Sequence, residues 1–321
     1  MNESNRMSQR VEQYLALRRA FGFRLSIAGE QLQNFARFAD RTDRDKPLTL
    51  ELALRWAQSS STGKQTTAAR RLLILRPFAR YLRTIDPLTE ILPKGILGPA
   101  QYRPVPHIYT AKEIRALLDA ASKLRPRSGL RSHSFGTYLR LLACTGMRPP
   151  EPLHLTRADV NFESRSLVVR ETKFSKSRIV VLHPTASKAL QNYVRIRDGY
   201  IKYPRSQAFF LSDNGSAFTH KKAVWAFRYL RRQLGWLRQP GRRLPRLYDL
   251  RHTFVCRRLL AWHRDGIDVH TTMPALSTYL GHVKVTDTYW YLTAIPELMI
   301  TLSRRFERFA CGNKEGCHGL D

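Results

Sequence analysis

The chain has 321 residues, of which 43% are hydrophobic, and its 55 Lys and Arg against 25 Asp and Glu give a formal charge of +30. This length favours about two domains, and the charge far exceeds what solubility requires, so it predicts a polyanionic partner, with a nucleic acid preferred to a membrane surface. No apolar run approaches the roughly 18 to 20 residues that span a bilayer, and the N-terminal residues lack the apolar core of a signal peptide. We therefore expect a cytoplasmic, nucleoid-associated protein without membrane contact.

The four cysteines are too widely spaced to indicate a disulfide framework. Cys311, Cys317 and His318 could form part of a metal site, but without a fourth ligand they are weak evidence for one. We expect neither a structural metal nor disulfides.

The first 92 residues read as a helical domain, with four helices between Val11 and Ile85 separated by short polar breaks. Apolar residues recur at three- and four-residue steps, and Thr49 is a suitable N-cap for the third helix. Pro77 should kink the fourth helix or begin a new turn. Basic residues also share a face here. They predict phosphate contacts that position a duplex, although a solvated face is the alternative, and they include Lys64, Arg70 and Arg71.

A segment rich in proline and glycine follows, and its composition cannot support a helix or a central strand. We place a linker at 93–109 and a second domain at 110–321. The second domain opens with a capping box, in which Thr110 is the N-cap and Glu113 is the third residue of the helix.

The second domain combines helices with a small β-hairpin. A helix ends at Gly146. Two β-branched runs, 167–172 and 177–182, flank a basic tip that contains Lys173 and Lys176. Further helices start near Thr185, Lys221 and Tyr248. A last helix carries Leu302, Phe306 and Phe309 on one face. This face would pack either within its own chain or on a neighbouring protomer.

Residues 225–258 contain ten arginines, no lysine and a single acid, Asp249. Aromatic residues are interleaved with these arginines, a composition that predicts contact with nucleic acid. The candidates that we single out are Arg242, Arg243 and Arg246.

The pair His282 and Tyr291, nine residues apart, suggests nucleophilic attack on a phosphate. A phenol, with an ordinary pKa near 10, can attack phosphorus when a cationic site stabilises the developing charge. Metal-free cleavage of a phosphodiester also requires a proton donor for the leaving oxygen. The sequence shows no acidic cluster of the kind that holds two metal ions.

Four motifs then resemble those of the tyrosine recombinase (phage integrase) family. They are Thr145–Leu155, Thr172–Lys173, Tyr248–Phe254, and Leu280–His282 followed by Tyr291. The resemblance implies that Arg148 and Arg251 clamp the scissile phosphate, that His282 bonds it, that Lys173 protonates the leaving 5′ oxygen and that Tyr291 is the nucleophile. Glu151 and His252 would support them. Tyr289 is the rival nucleophile and Lys176 the rival acid. Tyr248 stands where the family has a histidine. A phenol cannot act as an acid or base near neutral pH as an imidazole does, so proton transfer at this position is in question.

The resemblance also implies the fold and the reaction. We expect a mainly α protein with a small β-sheet, in which a helical core-binding domain and an α+β catalytic domain form a C-shaped clamp on DNA. Cleavage would give a 3′-phosphotyrosyl intermediate without ATP, metal or other cofactor. Four protomers would act on two sites, with possible accessory proteins, and a mobile element could encode the protein. The alternatives are a catalytically silent architectural protein and a topoisomerase-like nicking and closing enzyme.

Overall fold

The computed structural model describes residues 6–42, 46–100, 105–125, 129–170, 177–238 and 243–293. The chain divides into two compact units, Met1–Pro104 and Val105–Asp321. The expectation of a mainly α fold with a small sheet is confirmed. No helix in the ranges just given is both long enough and apolar enough to cross a membrane.

The first unit is the predicted four-helix domain. Its helices are α1 (Met7–Ala20), α2 (Ser26–Thr42), α3 (Leu50–Gln58) and α4 (Gln65–Arg83). Thr49 caps α3, since its hydroxyl accepts a hydrogen bond from the Leu52 amide at 3.2 Å. Phe35, Trp56 and Phe78 lie fully buried in the core that these helices enclose.

Of the two expectations for Pro77, a kink or the start of a new turn, the second is wrong, because α4 runs continuously through the proline. The residues after the proline, including Phe78 and Leu82, stay buried in the same core as those before it. Packing of this face offsets the backbone hydrogen bond that a proline removes.

The segment after α4 packs onto the first unit, although residues 84–100 form neither helix nor strand. Leu92 is buried, and its carbonyl accepts a hydrogen bond from Arg76 at 2.9 Å. The Glu90 amide donates to the Leu48 carbonyl at 2.8 Å, and Leu97 packs against the core. The first part of the predicted linker therefore belongs to this unit.

The second unit contains seven helices and a three-stranded antiparallel sheet among its described residues. The helices are α5 (Ala111–Ser122), α6 (Leu130–Thr145), α7 (Pro184–Tyr200), α8 (His220–Gln233), α9 (Asp249–Arg264), α10 (Val269–Leu280) and α11 (Thr286–Thr293). The strands, in spatial order, are β1 (Val160–Asn161), β2 (Ser166–Val169) and β3 (Arg178–Val181). The β2–β3 hairpin and the Thr110 capping box are confirmed. Strand β1 was not predicted, because a strand of two residues is too short to show the alternation of apolar and polar side chains.

Two apolar clusters make up the core of this unit. The larger one surrounds α6, whose Phe135, Tyr138 and Leu142 are fully buried. The smaller one joins α9, α10 and α11 and includes Tyr291. The Tyr138 hydroxyl donates to the Pro149 carbonyl at 2.9 Å, which fixes the turn that follows α6. The candidate active site lies where this turn meets α9 and the end of α10.

Candidate active site

The turn after α6 carries Arg148. The helix ends at Gly146 in the left-handed conformation, with φ at 63°. A Cβ atom at this position would lie 2.5 Å from Cδ1 of Phe254, so that only glycine fits without displacing the ring. The chain then reverses, and a short 3-10 turn, Glu151–His154, follows.

Glu151 binds two arginines in this turn. Its carboxylate accepts hydrogen bonds from the Arg148 amide at 2.8 Å and from the Arg148 guanidinium at 2.9 Å. The Arg178 guanidinium donates to both carboxylate oxygens, at 3.0 and 2.7 Å. Burial alone would raise the pKa of Glu151, but Arg178 and Arg148 outweigh burial and lower it below the ordinary value. The carboxylate is therefore ionised at neutral pH.

Arg178, the first residue of β3, was missed as a site residue by sequence reasoning. Besides Glu151, its guanidinium holds the Tyr279 carbonyl at 2.9 Å. A Cβ atom at Gly281 would lie 2.9 Å from its Nη1. Arg178 thus ties the hairpin to the Arg148 turn and to the end of α10. The sequence did carry one signal for it, since Arg178 is a cation at the first position of an otherwise apolar strand.

Glu151→Gln tests this network. We expect it to destabilise the second unit by about 3 kcal/mol, because it removes the negative charge between two largely buried guanidinium groups. Urea denaturation followed by circular dichroism measures the change. Glu163→Gln, at an exposed position, is the matched control and should change stability by less than about 0.5 kcal/mol. Equal effects of the two substitutions would contradict a structural role for Glu151.

Arg251 connects three segments of the site. It is only 1% exposed, and it donates to the Gly146 carbonyl and the Leu280 carbonyl, each at 2.9 Å. The same guanidinium lies 2.8 Å from Nε2 of His282. Its neighbour Arg148 donates to the Gly281 carbonyl at 2.9 Å. The two arginines therefore converge on the turn that carries His282.

His282 uses both of its ring nitrogens. A guanidinium can only donate, so Nε2 accepts from Arg251, and Nδ1 then carries the proton and donates to the Thr288 hydroxyl at 2.7 Å. Burial and the charges of Arg251 and Arg148 lower the pKa of His282 to about 4. The imidazole is therefore neutral at pH 7, and it links α9 to α11.

Tyr291 faces α9 from α11. It is 3% exposed, and its ring centre lies 5.4 Å from that of His252, which in turn lies 5.4 Å from the ring of Tyr248. Burial raises the pKa of Tyr291 above its ordinary value, and the charge of Arg251 opposes that shift. The rival Tyr289 lies instead beside His270 of α10, with ring centres 5.9 Å apart.

A cleft of about 830 Å³ opens beside Arg148 and Tyr248. Six arginines line it, and none of its lining residues in the described ranges is acidic. The arginines are Arg148, Arg228, Arg231, Arg232, Arg243 and Arg246. Arg246 also pairs with buried Asp249 at 2.8 Å, so this acid holds the start of α9 and does not stand isolated as it does in the sequence. The cleft is strongly positive and suits a polyanion.

The other predicted DNA contacts differ in their surroundings. In the first unit, Lys64 and Arg70 are exposed. Arg71 instead donates to the Trp56 carbonyl at 2.9 Å and lies over the Trp56 ring, so it also holds α3 against α4. Some predicted residues lie outside the described ones: Lys173, Lys176, Arg242, the last helix with Leu302, Phe306 and Phe309, and Cys311, Cys317 and His318.

Comparison with known proteins agrees with these motifs. The model of the phage integrase family matches residues 108–297. The candidate integrase/recombinase y4rB of Sinorhizobium fredii is 37% identical over 94% of this chain and 96% of its own length. The tyrosine recombinase XerC of Chlamydia trachomatis is 28% identical over 73% of this chain and 69% of its own.

Solved structures share the fold. The Tn1549 transposon integrase in complex with transposon right end DNA has a TM-score of 0.66 and 17% identity, and the match covers 95% of this chain and 99% of that one. A lambda integrase dimer bound to a core site has a TM-score of 0.62 and 15% identity, over 90% and 77% of the two chains. The family model covers more than half of the chain, so the protein belongs to the phage integrase family and is a tyrosine recombinase.

Proposed function

We propose that Tyr291 is the nucleophile with which this recombinase cleaves and rejoins double-stranded DNA. Its oxygen attacks the scissile phosphorus, forming a 3′-phosphotyrosyl bond and releasing a 5′ hydroxyl. Arg148 and Arg251 spread the charge that develops on the nonbridging oxygens, and His282 orients them. Lys173, which the sequence places in the hairpin tip, protonates the leaving oxygen. Religation reverses the step, and the retained phosphoester makes ATP unnecessary.

The observation that carries this proposal is the convergence of four separate segments on one positive site. The α6 turn brings Arg148, α9 brings Arg251, the end of α10 brings His282, and α11 brings Tyr291. The carboxylate of Glu151 pairs with two guanidinium groups, those of Arg148 and Arg178, and the buried guanidinium of Arg251 lies close to Arg148 without an ion pair of its own among the described residues. The excess of positive charge suits a phosphate and would be costly without one.

We also assign the two units their parts in binding. The first unit, with Lys64 and Arg70 exposed, serves as the core-binding domain, and the cleft next to Arg148 takes the phosphate backbone beside the scissile bond. Because Tyr291 is 3% exposed, DNA binding has to displace the side chains that cover it. Four protomers, joined through their C-terminal segments, pair two sites. A nicking and closing enzyme would need no such pairing.

Covalent capture tests the proposal. Wild-type protein is incubated with a pool of nicked duplexes that have a randomised core, and adducts that survive denaturant are recovered and sequenced. The proposal expects DNA-linked protein, with the DNA attached to the peptide that contains Tyr291. An adduct on any other residue would overturn the assignment. The absence of adduct from the whole pool would favour the architectural alternative. Pairing of two selected duplexes, followed by strand exchange, separates a recombinase from a nicking and closing enzyme.

A further inference from the structure

The two histidines of the site differ in their hydrogen bonding. Both nitrogens of His282 are engaged, by Arg251 and by Thr288. In contrast, Nδ1 of His252 is buried and has no hydrogen-bond partner among the residues that the structure describes. A buried polar atom without a partner costs about 1–3 kcal/mol, and such groups in native proteins call for an explanation, a catalytic role among them.

His252 stands between two phenols. Its ring centre is 5.4 Å from that of Tyr291 and 5.4 Å from that of Tyr248, the N-cap residue of α9, four residues earlier in the chain. Trp290 closes a third side at 5.8 Å. The imidazole therefore contacts both the proposed nucleophile and the tyrosine that occupies the place of the family's histidine.

Attack by Tyr291 creates a need for a proton acceptor. Burial raises the pKa of Tyr291, so the phenol keeps its proton until it attacks. Tyr248 is a poor acceptor, since a neutral phenol is a very weak base. The Nε2 lone pair of His282 already accepts from Arg251. Nδ1 of His252, by contrast, is buried without a hydrogen-bond partner among the described residues, so its lone pair is available when the ring carries its own proton on Nε2.

We propose that His252 accepts the proton of Tyr291 in the cleavage step, a transfer for which the neighbouring phenol of Tyr248 is unsuited. The proposal rests on the assignment of Tyr291 as nucleophile. The bond from the Tyr291 oxygen to phosphorus forms as the bond from phosphorus to the 5′ oxygen breaks. The phenol proton moves to His252, and the leaving oxygen takes a proton from Lys173. Religation returns both protons, so no external acid or base is consumed.

The charge around His252 suits this role. Burial lowers its pKa to about 4, the charge of Asp249 opposes that shift, and Arg246 and Arg251 add to it. The ring is therefore neutral at pH 7 and able to accept a proton. A bound phosphate would offset part of the nearby arginine charge and raise the pKa of His252 part of the way back, which makes the imidazole a stronger base while it stays neutral above pH 6.

His252→Gln, assayed on a nicked duplex recovered by covalent capture, tests the proposal. We expect adduct formation at pH 7 to slow by about 10²- to 10⁴-fold, with DNA binding and melting temperature unchanged. The wild-type rate should be nearly flat from pH 6 to 8. The rate of the variant should rise about tenfold per pH unit, because hydroxide then has to remove the phenol proton. His263→Gln, about 16 Å further along α9, is the matched control and should behave as wild type.

Chemical rescue separates proton transfer from a packing role. His252→Ala should regain adduct formation when imidazole is added, and the gain should saturate with imidazole concentration. A wild-type rate for His252→Gln would overturn the proposal. So would a defect with an unchanged pH profile and no response to imidazole, or a pH effect that follows Tyr248→Phe instead. If the assignment of Tyr291 as nucleophile were wrong, the result would be distinct from all of these, because the Tyr291→Phe variant would still form an adduct.

Discussion

Tyr291→Phe is expected to abolish the covalent protein–DNA adduct, a loss on the order of 10⁴-fold or more, while leaving DNA binding intact. The substitution removes one oxygen from a side chain that is 3% exposed and packed among α9, α10 and α11. Because the ring remains, its packing against His252 and Trp290 remains as well. The measurement is the yield of denaturant-resistant adduct on a nicked duplex, with mobility shift as the check on binding.

Tyr289→Phe is the control for this prediction. Residues two apart on a helix point about 200° apart, so that Tyr289 and Tyr291 cannot both face α9. The structure turns Tyr291 towards His252 and Tyr289 towards His270 of α10. Tyr289→Phe should therefore form adduct within about threefold of the wild-type rate. The reverse pattern, with adduct surviving Tyr291→Phe and lost in Tyr289→Phe, would transfer the role to Tyr289.

Local patterns predicted much of this arrangement. The helices of the first unit, the Thr110 capping box and the β2–β3 hairpin follow from apolar spacing, caps and β-branched runs, all of which lie within a few residues of one another. Arg148, Arg251 and His282 were identified because each sits in a short motif. The sequence order alone could not bring them together, since the hydrogen bond from Arg251 to Gly146 spans 105 residues.

Long-range packing determined what the sequence left unpredicted. Arg178 reads as an ordinary strand residue until β3 lies against the end of α10, where its guanidinium reaches Glu151 and the Tyr279 carbonyl. Asp249 reads as a lone acid until folding buries it beneath Arg246. The lowered pKa of His252 depends in the same way on burial. The rings around it are Tyr248, at the N-cap of α9, and Trp290 and Tyr291 of α11.

Arg251→Lys should lower both activity and stability, although it conserves the charge. Two nitrogen atoms of the planar Arg251 guanidinium donate hydrogen bonds to three acceptors. These are the carbonyls of Gly146 and Leu280 and Nε2 of His282. A shorter point-like ammonium cannot reach all of them, and each buried acceptor left unpaired costs about 1–3 kcal/mol. We expect the second unit to lose about 2–4 kcal/mol by urea denaturation.

The catalytic loss should exceed what this instability explains. With one half of the proposed phosphate clamp displaced, adduct formation should fall by about 10²- to 10³-fold at a temperature where circular dichroism shows the variant fully folded. Arg258→Lys, an exposed change on the same helix, should leave both quantities near wild type. If Arg251→Lys instead lost stability but kept the wild-type rate of adduct formation when folded, Arg251 would hold the turn at His282 in place without stabilising the phosphate. The charge at the scissile bond would then rest on Arg148, whose side chain lines the cleft.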